Sequence, residues 1–257
     1  MTRSRSGAKS HSLGIPTTKT GRSVLVTGAS GGIGRAISLA FGKAGWFVGL
    51  HHYKGKASAE STLRQIEKAG GTGAVYEADI RDAQSVQHMV AAFCRDGVKP
   101  AAFVCTAGVG RSRLLLQQQA EDWAEVMATN LTGTFHCLRA MAPALLSEGG
   151  GSIVVVGSYA AYHGAVGQTA YAASKAGLIG LVKTAALEWG PENIRVNLLL
   201  PGWQNTRHSE GFFPKGWKDH ALRRPPFLEE VVLSVLYLAQ LKDVSGQVWN
   251  CDSRNLL

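Results

Sequence analysis

What this chain lacks narrows it before any motif is read. Cysteine is sparse: Cys94, Cys105, Cys137 and Cys251 are scattered, with no CxxC pair. That spacing argues against a disulfide framework or a thiolate zinc site, so no metal is expected, and it points to a reducing, cytoplasmic setting. No apolar run approaches the ~20 residues that a membrane-spanning helix needs. Acid is absent from the first 59 positions, where nine basic residues stand: Arg3, Arg5, Lys9, Lys19, Arg22, Arg35, Lys43, Lys54 and Lys56. From Glu60 onward the 18 acidic and 18 remaining basic residues cancel, so the net charge of +9 belongs to the N-terminal quarter. A basic chain often signals nucleic acid, but no RNA- or DNA-reading motif accompanies this one. A site for an anionic ligand explains part of the charge more economically.

Apolar residues make up 45% of the chain, enough for a large core. Residues 1–22 are rich in Ser, Thr, Gly and basic residues without apolar periodicity, and they read as a disordered basic tail. This tail has no secretory apolar stretch. Its Arg/Ser-rich, acid-free composition is compatible with an organelle transit peptide, and an ordinary flexible extension is the preferred reading. From residue 23 to 257, strand-like and helix-like patterns alternate. Strands are expected at Ser23–Thr27, Trp46–Leu50, Thr72–Glu77, Ala101–Cys105, Gly151–Val156, Ile194–Leu200 and Gly246–Asn250. Helices are expected at Ile33–Ala44, Ala57–Ala69, after Asp82, and at Glu121–Leu146, Gln168–Trp189 and Leu228–Leu241. Pro143 is expected to bend or end the long helix. The alternation argues for one α/β domain, a parallel sheet with helices on both faces. Pro201–Phe227 is longer than an ordinary connection and reads as a lid from about residue 202 to 227.

Two clusters carry chemistry. The first strand runs into Thr27-Gly28-Ala29-Ser30-Gly31-Gly32-Ile33-Gly34. Glycines at a strand-to-helix turn let a pyrophosphate approach the backbone, and the helix N-terminus supplies donors and a positive dipole. In the second cluster Tyr171 and Lys175 stand four residues apart, one turn along a helix face, with Ser158 upstream. A phenol ordinarily ionises near pH ~10. At ~4.5 Å and an effective dielectric of ~20, one ammonium favours the phenolate by roughly 3–4 kcal/mol. Alone, the pair reads as a general acid/base tuned towards neutrality, or as a surface pair on a helix.

Together Thr27–Gly34, Asn130, Ser158, Tyr171–Lys175 and Pro201-Gly202 resemble the short-chain dehydrogenase/reductase family, in an order and spacing that span nearly all of the chain outside the tail. The segment Tyr171–Gly180 most resembles 3-oxoacyl-acyl-carrier-protein reductases. The resemblance implies a Rossmann-like, doubly wound parallel sheet and a catalytic set of Asn130, Ser158, Tyr171 and Lys175. Tyr171 would protonate a carbonyl oxygen as hydride reaches its carbon, Lys175 would lower the Tyr171 pKa and bind the nicotinamide ribose, Ser158 would hold the carbonyl, and Asn130 would anchor a water leading to Lys175. It implies cofactor contacts at Gly28, Ser30, Gly31, Gly32, Ile33, Gly34, His52, Tyr53, Lys54, Asp79, Ile80, Ala107, Gly108, Tyr171, Lys175, Pro201, Gly202 and Thr206. NADP(H) is expected over NAD(H), because the second strand ends Gly49-Leu50-His51-His52-Tyr53-Lys54 without the acid that binds a ribose 2′-hydroxyl. A 2′-phosphate would reach Lys54 or Lys56, with His51 and His52 as neighbours.

Departures from the family pattern are Thr106 for an asparagine, Trp203 after Pro201-Gly202, and Asp252-Ser253-Arg254 in place of a glycine-rich turn. They suggest a specialised pocket. Ser158, Tyr162, Trp203, Phe212, Phe213 and Trp217 are expected to line it and to favour an apolar substrate, although each aromatic taken singly fits core packing equally well. Lys215, Lys218, Arg223 and Arg224 would meet an acyl carrier protein or coenzyme A, or are simply solvated. The function expected is NADPH-dependent reduction of a ketone such as a 3-oxoacyl thioester, by a homodimer or homotetramer. An NADP-linked alcohol, sugar or polycyclic-ketone dehydrogenase remains open, as does a non-catalytic nucleotide-binding regulator.

Overall fold

Three neighbouring residues of the first strand already divide the core. In a strand, successive side chains point to opposite faces. Accordingly Val24 and Val26 join one apolar cluster and Leu25 the other. The computed structural model describes residues 21–96, 99–205 and 216–256. It contains a seven-stranded parallel sheet built from β1 (Ser23–Thr27), β2 (Phe47–His52), β3 (Thr72–Glu77), β4 (Pro100–Cys105), β5 (Gly151–Val156), β6 (Ile194–Leu200) and β7 (Val248–Asn250). The strand order is β3-β2-β1-β4-β5-β6-β7. The chain winds outward from β1 in one direction and from β4 in the other, so a crevice opens beyond the carboxyl ends of these two strands.

Helices cover both faces. On one, α1 (Gly32–Lys43), α2 (Lys56–Lys68) and α8 (Leu228–Gln240) set Ile37, Phe41, Ile66, Val231 and Val235 against Val24, Val48 and Val104. On the other, α3 (Ala83–Asp96), α5 (Gly133–Ser147) and α7 (Thr169–Trp189) set Phe93, Met141 and Leu178 against Leu25, Phe103 and Ile153. Two faces each sealed by helices explain why the central strands read as continuous apolar runs.

Two expectations are corrected. The long helix does not end at Pro143; α5 runs through it to Ser147. The proline is on the exposed side, where water can serve the carbonyl it leaves unbonded. The break falls earlier: α4 (Ala120–Met127) gives way to a π-helical turn at Ala128–Thr132 before α5 begins. A short helix, α6 (Ala160–His163), was also not anticipated. Residues 1–20 of the expected tail, and 206–215 of the expected lid, lie outside the described residues.

Candidate active site

The floor of the crevice is the turn after β1. Gly28 has φ +67°, a left-handed conformation that suits glycine, and a Cβ there would sit 2.9 Å from the Ala107 backbone. A Cβ on Gly34 would lie 2.4 Å from the Gly28 carbonyl oxygen, so glycine lets α1 start close against the turn. Gly31 precedes α1 without a side-chain cap, leaving the first-turn N–H groups for a ligand. Thr106 stays within this framework: its hydroxyl donates to the Thr27 carbonyl, and the Thr27 hydroxyl accepts from the N–H groups of Thr106 and Ala107.

His51 locks the turn from below. Its Nδ1 accepts from the Gly28 N–H at 3.1 Å, and its Nε2 lies 3.0 Å from the Ala78 carbonyl. These two partners require the neutral ring with the proton on Nε2. Burial pushes its pKa down to about 4, which keeps it in that form. His52, expected to contact cofactor, is buried, does not line the crevice, and has a buried Nδ1 without a hydrogen-bond partner among the described residues. Alternation along β2 explains this, since adjacent side chains cannot both face the turn.

The crevice has a volume of about 880 Å³, within the range of ligand-sized clefts. At one end stand Tyr53, Lys54, Asp79, Ile80 and Arg81. Arg81 was missed from sequence. Its guanidinium chelates the Asp79 carboxylate at 2.9 and 2.5 Å and lies 5.5 Å from the Tyr53 ring centroid. The Arg81 bonds hold the Asp79 carboxyl below its usual range. The Lys54 ammonium also lies over Tyr53, at 5.3 Å.

The middle of the crevice receives Ala107 and Gly108 from the end of β4, Ser158 from the end of β5, Tyr171 and Lys175 from α7, and Pro201 and Gly202 from the end of β6. Ser158 stands close enough to the Tyr171 phenol to influence its ionisation, and its Oγ accepts from the Ala160 N–H at 3.2 Å. The Lys175 ammonium donates to the Val156 carbonyl at 2.8 Å and stands 5.7 Å from the Tyr171 ring centroid. The electrostatic expectation is reversed here. Burial pushes the Tyr171 phenol up, with Ser158 offsetting part of the rise. Burial also pushes Lys175 down, to about 8. Desolvation of the charged form is the largest influence on each group, and the phenol is held protonated at neutral pH.

Asn130 is fully buried in the π-helical turn and does not line the crevice itself. Its amide closes a ring with Val109, accepting from the N–H at 2.8 Å and donating to the carbonyl at 2.9 Å. It also donates to Ser174 Oγ at 3.1 Å, and that hydroxyl donates to the Tyr171 carbonyl. Asn130 thus ties the segment after β4 to the helix that carries Tyr171.

At the other end the crevice is lined by Tyr159, Gln168, Trp203, Gln204 and Arg254. Of the expected substrate residues, Ser158 and Trp203 are brought together here. Tyr162 and Trp217 do not line the crevice; Trp217 instead packs edge-on against His220. Thr206, Phe212, Phe213 and Lys215 lie outside the described residues. Sequence reasoning noted Asp252-Ser253-Arg254 as unusual without placing Arg254 in the crevice.

The sequence profile of the short chain dehydrogenases matches residues 22–215. The chain belongs to that family. Among its short-chain dehydrogenase relatives, the 3-oxoacyl-(acyl-carrier-protein) reductase of Thermotoga maritima is 35% identical over 239 residues, covering 90% of this chain and 96% of that protein. The (3R)-3-hydroxyacyl-CoA dehydrogenase of Rattus norvegicus is 41% identical over 191 residues, covering 70% and 72%. A solved dehydrogenase/reductase from Sinorhizobium meliloti 1021 superposes with a TM-score of 0.82 at 30% identity, covering 90% and 93%. This short-chain dehydrogenase is therefore an oxidoreductase acting on hydroxyl or keto groups. Among its described residues no helix is long and apolar enough to cross a membrane, and no cluster of His, Cys, Asp and Glu could hold a metal ion.

Proposed function

We propose that the protein reduces the ketone of a 3-oxoacyl thioester with NADPH. The observation that carries this reading is the meeting of Ser158, Tyr171 and Lys175 in one crevice with the glycine turn. The residues present fit a dinucleotide: Gly28 and Gly34 leave a cradle that a Cβ would fill, and uncapped N–H groups face it. When bound, the cofactor supplies hydride to the carbonyl carbon.

Each neighbouring side chain has a share in the chemistry. Ser158 orients the carbonyl oxygen through its hydroxyl. Tyr171, held protonated by burial, donates its phenolic proton to that oxygen as negative charge develops there. Lys175, fixed on the Val156 carbonyl, places a positive charge near the resulting phenolate. Asn130 acts through Val109 and Ser174 rather than by touching substrate, which makes it a positioning residue. Lys54, beside Tyr53 at that end of the crevice, would favour the added negative charge of a 2′-phosphate, whereas the charge of Arg81 is already balanced by Asp79. We extend the reading to a cytoplasmic homo-oligomer whose 202–227 segment covers the substrate, and whose acyl chain arrives on a carrier protein or coenzyme A. The names of the relatives support the acyl thioester.

The test is Tyr171→Phe, assayed with NADPH and an acetoacetyl thioester. A loss of at least about 10²-fold in kcat is expected, the scale of general acid catalysis; undiminished turnover rejects the mechanism. Wild-type KM for NADPH should lie well below that for NADH, and tighter NADH binding overturns the cofactor assignment.

A further inference from the structure

Beyond Ser158 the crevice is walled by Tyr159 and Arg254. The Arg254 guanidinium lies 3.7 Å from the Tyr159 ring centroid, and Tyr159 also stacks on His163 at 4.4 Å. Both Tyr159 Oη and His163 Nε2 reach the Asn255 carbonyl, at 3.0 and 3.1 Å. The segment carrying Arg254 is thereby fastened to the loop that carries Ser158.

The guanidinium is held in one orientation. The Asp252 carboxylate, fully buried, accepts from Nε at 2.9 Å and from Nη2, both on Oδ2. Its other oxygen accepts the Arg254 backbone N–H at 3.1 Å. His220 Nε2 stands 3.3 Å from that oxygen without hydrogen-bond geometry, and burial lowers the His220 pKa. Arg254 is therefore the counter-charge of Asp252. The pair uses only Nε and Nη2. The two N–H donors of Nη1 have no partner among the described residues, while the side chain is only 11% exposed. A buried ion pair near break-even in energy does not explain the arginine by stability. A fixed, stacked guanidinium with one unused edge in a crevice is suited to recognising an acceptor.

We propose that Arg254 determines specificity by binding, through Nη1, a second oxygen acceptor of the substrate, distinct from the carbonyl that Ser158 and Tyr171 hold. Asp252 balances its charge, so a neutral carbonyl, such as the thioester oxygen of a 3-oxoacyl substrate, is favoured over a free carboxylate. This inference rests on the ketoreductase reading and narrows it.

The experiment compares wild type, Arg254→Met and Arg254→Lys with NADPH on three ketones: an acetoacetyl thioester, acetoacetate and 2-pentanone. The lysine keeps a partner for Asp252 but loses the fork, so it guards against a methionine variant that fails to fold. NADPH fluorescence on binding reports an intact cofactor site. Both variants should lose at least about tenfold more kcat/KM on the thioester than on 2-pentanone, mainly through KM. An equal loss on both, or none on the thioester, overturns the proposal. A loss confined to acetoacetate overturns the choice of a neutral acceptor. Wild-type turnover of 2-pentanone without turnover of the thioester instead defeats the oxoacyl reading, and it is observed before any variant is compared.

Discussion

A buried ammonium is costly wherever it sits, and Lys175 is buried beside the half-buried phenol of Tyr171. Its pKa of about 8 puts its titration within the working range of an enzyme. Reduction should hold steady below that value and decline as pH rises through it, because the neutral amine no longer offsets charge arriving on Tyr171. A kcat/KM profile that stays level to about pH 10, the ordinary range of a lysine, would count against this role. Stability has the opposite slope. Below about 8 the folded and unfolded chains both carry the proton, and the fold bears the full penalty of burial. Between about 8 and 10.5 the unfolded chain keeps a proton that the fold has released, so stability rises with pH. Lys175→Met removes the penalty together with the bond to Val156. Its Tm relative to wild type should be highest near pH 7 and should decrease by about pH 9.5, while reductase activity is lost. A difference in Tm that does not vary with pH would show that the ammonium carries no such penalty. The order and spacing of Ser158, Tyr171 and Lys175 made them legible in the sequence. The sign of the Tyr171 shift was not, since spacing supplies a distance between charges and says nothing of the water removed around them.

Elements were read from periodicity, and periodicity is local. It located the strands to within one or two residues and the helices nearly as well. It treated residues 121–146 as one helix, because a π-helical turn needs a partner far away in sequence to repay its poorer geometry. That partner is Val109, whose N–H and carbonyl both bond to Asn130. Asn130→Ala leaves both groups without this partner, and should lower stability by about 2–4 kcal/mol in a denaturant titration. Asn130→Asp should cost more than alanine, because it sets a buried carboxylate against the Val109 carbonyl. A smaller cost for Asp than for Ala would mean that water reaches the site. The same long-range logic hid His51: its role depends on Gly28 and Ala78, which only the parallel pairing of β1, β2 and β3 brings to its two nitrogens.

At the scale of the whole molecule, the alternation of strands and helices made the parallel sheet legible, and the glycine turn marked the end of β1 as a place for a pyrophosphate. What flanks the sheet was not legible, because no local pattern distinguishes an edge strand that faces water from one that meets another copy. β7 is that edge. It is three residues long, and Trp249 within it is 38% exposed. On α8 nearby in the chain, Tyr237 is half exposed, and Leu241 just after it is also exposed. Large aromatics at a short edge strand suit a contact between copies better than a solvated surface. In the proposed oligomer this end of the sheet is covered, so Tyr237→Lys with Trp249→Lys places two like charges in a desolvated seam. Sedimentation should find wild type as a dimer or tetramer and the double variant as a smaller species, with Ser158, Tyr171 and Lys175 still assembled around the cofactor. Monomeric wild-type protein at micromolar concentration, or an assembly that tolerates both lysines, would mean that this edge is not where copies meet.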